Sequence, residues 1–190
     1  MRAIKTSVIS ILAIALLAGS AVGVAAQDEE AAAEPSTPAK VAGTLIQETG
    51  DLVQEPTETV VDDVLEVRGV IAEGDRFEMD DPRVTGTVTV AVNVDVHKES
   101  DFVDIAAFSL ALRLENEAGS WSGQGTGINH GGSGIPQEEA LNLDTWVLTG
   151  AGEYEGLTAY LIVDGTEDTA TIEGVIFAGE MPPAPELPAE

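Results

Sequence analysis

Alternating side chains dominate the middle of the chain, from Val84 to Val96. Every second position in this segment is valine or glycine, and most positions between them are threonine, asparagine or aspartate. Successive side chains of an extended strand point to opposite faces, so a period of two predicts a long β-strand with one buried and one solvated face. No apolar run at helical spacing follows residue 26.

Further segments of the same kind predict an all-β domain. A second long strand ends at Leu114, a hairpin loop follows at Asn116–Gly119, and a third strand begins at Trp121. The remaining strands are predicted at 63–71, 143–149, 157–163 and 170–177. Long hairpin-linked strands lose their exposed edges when the sheet closes on itself. We therefore predict a single antiparallel barrel of about eight strands, with a β-sandwich as the alternative.

Glycines follow Trp121 at every second position, at Gly123, Gly125 and Gly127. Such a row would weaken a flat sheet. In a coiled sheet it indicates either a sharp bend or a place where a large side chain of a neighbouring strand crosses closely. The row favours the barrel over the sandwich.

The N-terminal residues 1–26 have the pattern of a signal peptide. Arg2 and Lys5 precede a short apolar run, and Val24 and Ala26 occupy the positions that a signal peptidase reads. A retained signal anchor is the alternative, although the run is short for a membrane span. We predict a secreted protein, extracellular or periplasmic, with no stable membrane insertion after cleavage.

The remaining regions are assigned by composition. Residues 27–58 are predicted to be an acidic disordered linker, in which 41–59 offer at most an edge strand. The barrel domain is predicted at 59–180, and residues 181–190 form a proline-rich tail. The chain contains no cysteine, so its fold must be held by the core without disulfides.

The charge of the chain is strongly negative, with 34 acidic and 8 basic residues and a net charge of −26. Arg2 and Lys5 lie in the predicted signal peptide, so six basic residues would oppose the same 34 acidic ones after cleavage, and the net charge would be −28. A field of this sign repels nucleic acid and anionic membrane surfaces, which excludes nucleic-acid binding. Solubility outside the cell, or adaptation to salt, is the simplest reason for the acidity.

One segment, Trp146–Leu157, resembles a known turn. It places glycines on both sides of an aromatic residue, at Gly150, Gly152, Tyr154 and Gly156. This arrangement resembles the glycine–aromatic–glycine turn of the allene oxide cyclase and dirigent barrels, which are calycin-type folds. The resemblance implies an eight-stranded barrel that holds an apolar reactive intermediate and steers its cyclisation or coupling. It is confined to this segment, so no catalytic residue is carried over from it.

Aromatic side chains are the candidates for contact with a small apolar molecule, namely Trp121, Trp146, Tyr154 and Tyr160. Packing is the competing interpretation, with Tyr154 as a plug of its turn and the tryptophans in the core. The two histidines, His97 and His130, fall in predicted loops and match no triad or zinc pattern. No catalytic residue, metal ligand or cofactor is predicted.

Three functions therefore stay open. The first is a secreted, non-enzymatic barrel that binds a small apolar molecule or acts through its outer surface. The second is an isomerase or stereochemistry-directing protein of the allene oxide cyclase and dirigent kind, which needs a buried carboxylate, asparagine or tyrosine pointing into the barrel. The third is a structural or adhesive exported domain. The sequence does not predict the oligomeric state or the identity of a ligand.

Overall fold

The computed structural model describes residues 38–46, 51–98, 104–131, 136, 139–166 and 169–185. Within them lie ten strands: β1 (Ala39–Ile46), β2 (Asp51–Gln54), β3 (Thr57–Val61), β4 (Val64–Met79), β5 (Gly86–Lys98), β6 (Asp104–Glu115), β7 (Gly119–Gly131), β8 (Leu141–Gly152), β9 (Leu157–Asp164) and β10 (Ala170–Ala178). A short 3-10 turn at Pro82–Val84 precedes β5. The described residues include no helix that could span a membrane.

Eight of these strands form a closed antiparallel ring. Its order is β1-β10-β9-β8-β7-β6-β5-β4, and β4 returns to β1. Closure depends on the 16-residue length of β4. Its last part, Arg76–Met79, pairs with β1, whereas its earlier part pairs with β3 and β2. The prediction of an all-β barrel is confirmed.

The buried face of the ring follows the period of two read from the sequence. On β5, Val88, Val92 and Val96 are buried, while the residues between them are half-buried or exposed. The largest side chains with less than 2% exposure are Trp121, Phe77, Leu114, Leu148, Leu161, Ile172 and Ile176. They come from six different strands and meet in one core cluster. Burial of apolar surface from all sides is what holds this cysteine-free barrel closed.

The glycine row of β7 lies beneath large side chains of its neighbours. A Cβ on Gly125 would come within 2.5 Å of Trp146 Cδ1 and 2.9 Å of Leu110 Cδ1. A Cβ on Gly127 would collide with the Phe108 ring and with Asp144 Oδ1. Close crossing is therefore the reason for these glycines.

A polar network closes one end of the barrel. The Tyr154 hydroxyl donates to Asn116 Oδ1 at 2.8 Å, and Asn116 Nδ2 donates to the Thr85 carbonyl at 2.9 Å. The Trp121 indole N–H donates to the Arg83 carbonyl at 2.7 Å, and its ring stacks on Tyr154 with centroids 5.2 Å apart. Tyr154, the aromatic residue of the resemblance segment, is thus used in packing at this end.

The structure corrects the predicted linker at 27–58. From residue 39 onward that region forms β1, β2 and β3, and Val41 on β1 is 2% exposed in the core. The acidic composition of the residues around β1 hid this, because the pairing of β1 with β4 and β10 cannot be read from the segment itself. The predicted signal peptide lies outside the described residues, as does 27–37. Residues 181–185 of the predicted tail are exposed and form no strand.

Several strand boundaries also differ from the prediction, and β5 continues through His97 to Lys98. The strand expected at 63–71 continues to Met79 as β4. Its pairing with β5 shifts register between Val67 and Val70 and between Glu73 and Asp75, and these shifts accommodate glycines within the strand. β7 likewise continues through His130 to Gly131, into the region predicted to be a loop.

Candidate functional site

An open groove of about 620 Å³ crosses the outer face of β4 to β8. Most of the side chains that line it lie on the outer face of the barrel, and Val92 and Leu110, which belong to the core cluster, also border it. The outward-pointing set is Ile71, Ala91, Asn93, Ser109, Ala111, Gln124, Thr126, Thr145 and Val147. Alanine and serine in the middle of long strands leave room that larger side chains would fill.

Strand register arranges this lining in two parallel rows. A polar row consists of successive cross-strand partners, Asn93, Ser109, Thr126 and Thr145. A second, mainly apolar row consists of Ile71, Ala91, Ala111, Gln124 and Val147. Adjacent strands lie about 4.8 Å apart, so each row offers a contact at about that interval. The groove is therefore elongated and has one polar and one apolar side.

The polar row is available for new hydrogen bonds. Within the described part of the chain, the side chains of Ser109, Thr126 and Thr145 make no hydrogen bond, and neither does that of Gln124. Asn93 is the exception, since its Oδ1 accepts the backbone N–H of Gly69 at 2.9 Å. Three hydroxyl groups of the polar row and the amide of Gln124 in the other row can thus pair with a ligand or with water without breaking a hydrogen bond.

A bulge in β4 shapes one rim of the groove. Gly69 has a φ of +73°, a left-handed conformation that favours glycine, and it lies where the β4–β5 register shifts. Gln54 Nε2 donates to the Gly69 carbonyl at 3.1 Å, so β2 braces the bulge from the other side. The rim is consequently fixed by Asn93 and Gln54 and not by charged groups.

Ionisable side chains surround the groove but do not line it. Beside the rim, Arg68 pairs with Asp95 at 2.6 Å and with Glu66 at 3.4 Å. Beyond Ala111 on β6, Arg113 pairs with Glu115 at 2.5 Å. In a chain with 34 acidic residues, an uncharged lining is the most distinctive property of this surface.

A second polar feature lies inside the barrel, at Asp144 of β8. It is the cross-strand partner of Gly127 on β7 and of Val163 on β9, which places it on the inward face. Burial raises the pKa of Asp144 to about 7, and the indole N–H of Trp146 opposes that rise. Neither Asp144 Oδ1 nor Trp146 Nε1 completes a hydrogen bond within the described chain. Burial thus favours the neutral, protonated form of Asp144.

The four aromatic side chains predicted to contact a ligand lie in two different places. Trp121, Trp146 and Tyr154 are buried in the core cluster, and Trp146 stacks on Phe77 with centroids 5.4 Å apart. Tyr160 lies on the outer face, as the cross-strand partner of Val147 at the end of the apolar row. None of the four lines the groove.

Sequence reasoning missed both the groove and Asp144. The sequence predicts Asn93 on a solvated face, and the structure places it there. The groove depends on the register of five strands, which no single strand shows. Asp144 could have been found, because it precedes Trp146 by two positions and must share its face.

No three His, Asp or Glu side chains in the described part of the chain are close enough to hold a metal ion. Comparison with protein-family models, curated proteins and solved structures finds no match to this chain.

Proposed function

We propose that this is an exported, non-enzymatic binding protein that takes an uncharged, elongated and largely apolar molecule in the outer groove. The supporting observation is the lining, which combines a mainly apolar row, a polar row whose three hydroxyl groups have no partner among the described residues, and no ionisable side chain. An anionic molecule would meet the repulsion of a chain with net charge −26, whereas a neutral one would not. Export is part of the proposal and is supported by the pattern of residues 1–26.

The two rows restrict the shape of the ligand. An apolar edge would cover Ile71, Ala91, Ala111 and Val147, and hydroxyl, ether or carbonyl groups along the other edge would pair with the polar row. Ligand sites in proteins commonly have such a division, with apolar walls and a few polar groups that fix orientation.

Binding of the neutral dye Nile red tests this proposal. We expect wild-type protein to bind the dye with a rise in fluorescence, and we expect Ala111→Glu to weaken binding by at least about tenfold, because it places bulk and an unpaired charge against the apolar row. Ser122→Glu is the matched control, because Ser122 is exposed on the outer face of the neighbouring strand β7 and does not line the groove. Equal affinity of the two variants for Nile red would contradict the proposal.

A second candidate function is that of an allene oxide cyclase-like or dirigent-like isomerase. The observation that favours it is Asp144, because this class needs a buried carboxyl group that points into the barrel. The resemblance of Trp146–Leu157 to the turn of those families supports the same candidate.

Native mass spectrometry of protein purified from its own source separates the two candidates. A retained molecule that is lost in Ala111→Glu and kept in Asp144→Asn supports groove binding. A molecule that is lost in Asp144→Asn and kept in Ala111→Glu supports the interior site and the isomerase candidate.

A further inference from the structure

One strand edge outside the closed ring has no partner among the described residues. β3 pairs with Val64–Arg68 of β4, and no other strand in the described part of the chain pairs with it. β2, which precedes it, also pairs only with β4. An unpaired edge exposes a row of backbone N–H and C=O groups that can accept another strand.

The turn after β3 determines which backbone groups are free. Asp62 and Asp63 have φ values of 48° and 67°, as in a two-residue type I′ hairpin. In such a hairpin the flanking residues Val61 and Val64 bond to each other, and bonding then alternates along the strand. Glu58 and Val60 therefore direct their backbone N–H and C=O groups away from β4.

The same edge has the most exposed large apolar side chains of the described residues. Val60 is 66% exposed, Val53 is 55% exposed and Leu52 is 48% exposed. A strand added to this edge would cover part of this apolar surface, which favours association.

Charge selects the kind of strand that can be added. Glu55, Glu58, Asp62 and Asp63 are exposed on or beside the edge, and residues 41–67 contain no lysine, arginine or histidine. The first basic residue after them, Arg68, is paired with Asp95 and Glu66. A second copy of a chain with net charge −26 would be repelled, whereas a basic segment would be attracted.

We propose that the free edge of β3 accepts an extended, basic segment of a partner protein by strand addition. Glu58 and Val60 supply the backbone hydrogen bonds, the exposed apolar side chains beside the edge add apolar contact, and the acidic residues on and beside the edge attract the basic side chains of the segment. This interaction surface is independent of the groove and of its ligand.

Fluorescence anisotropy with labelled peptides tests the proposal. The probes are an eight-residue peptide of alternating lysine and valine, a lysine–proline peptide of the same charge that cannot form a strand, and a glutamate–valine peptide. We expect wild-type protein to bind the lysine–valine peptide at least about tenfold more tightly than either of the others. Equal binding of the two basic peptides would show charge attraction alone and overturn the proposal.

Val60→Pro separates strand addition from charge attraction. Proline removes the outward N–H of residue 60 but keeps every charge and every β3–β4 hydrogen bond. We expect it to abolish the preference for the lysine–valine peptide, while the matched variant Val60→Thr keeps it. If Val60→Pro still preferred the lysine–valine peptide, the proposal would be overturned. Sedimentation gives a second check: a wild-type dimer that Val60→Pro dissociates would show that the edge pairs with a second copy of the chain, which would also overturn the proposal.

A peptide variant keeps the test valid if Val60→Pro does not fold. N-methylation of alternate residues blocks the hydrogen bonds along one edge of the lysine–valine peptide without changing its charge. We expect wild-type protein to lose affinity for the peptide methylated on the bonding edge, and equal affinity for both methylated forms would overturn the proposal.

Discussion

At the scale of single residues, Asp144 has the most consequential environment. It shares its face with Trp146 and Leu148, lies opposite Gly127, and retains an oxygen without a hydrogen bond in the described chain. Burial would desolvate an ionised carboxylate there by more than the indole N–H of Trp146 compensates, which is the physical reason why its pKa is raised. The protein tolerates this residue best in its neutral form.

Asp144 should therefore destabilise the fold as the pH rises. Between its ordinary pKa of 3.8 and its folded pKa of about 7, the native state binds more protons than the unfolded state. The free energy of unfolding then falls with increasing pH across that window and levels off above it. A shift of this size corresponds to about 4 kcal/mol.

Urea unfolding of Asp144→Asn against wild type measures this effect. We expect nearly equal stability at pH 4 and a growing advantage of the variant through pH 7, because asparagine has no charge to bury. A difference between the two proteins that does not change with pH would contradict the assignment.

At the scale of elements, β7 explains how large side chains fit into a narrow barrel. Its glycines leave space for Phe108 from one neighbour and for Trp146 and Asp144 from the other. Because β7 has no side chains at its glycine positions, β6 and β8 can place large side chains in the interior.

Gly125→Ala should consequently destabilise the protein by about 1–3 kcal/mol, because the added methyl group would crowd Trp146 and Leu110. Gly131→Ala is the matched control on the same strand, where the nearest atom to an added Cβ is Asn129 Oδ1 at 3.2 Å. Thermal unfolding followed by circular dichroism measures both variants. Comparable losses in the two variants would show that strand propensity, and not close crossing, accounts for the glycine row.

At the scale of the whole molecule, charge opposes the compact state. Acidic residues outnumber basic ones by 34 to 8, and the described ion pairs involve only four arginines. Folding therefore concentrates like charges, and their repulsion decreases as ionic strength rises.

We expect the melting temperature to rise as the sodium chloride concentration increases. Most of the rise should occur below about 0.5 M, because the charges are already strongly screened at that concentration. Potassium chloride serves as the control for a specific sodium effect. A melting temperature that does not change with salt would mean that the acidic residues are too far apart in the fold to repel each other.

Local pattern was sufficient for the class of fold and for part of its detail. The alternation from Val84 to Val96 predicted the strand that the structure places at Gly86–Lys98, and the glycines after Trp121 indicated close crossing. It was not sufficient for Val41, because β1 becomes part of the ring by pairing with β4 and β10, and β10 is far from it in the chain.

The sequence by itself determined an all-β, cysteine-free and acidic domain, because the period of two and the charge are properties of consecutive residues, and it left a barrel and a sandwich as alternatives. Only the tertiary structure decided that Asn93, Ser109, Thr126 and Thr145 form one row, and that Asp144 is enclosed. Both depend on the register between strands that are far apart in the chain. That register is set by bulges, by closure of the ring and by packing across it, and no single strand encodes these.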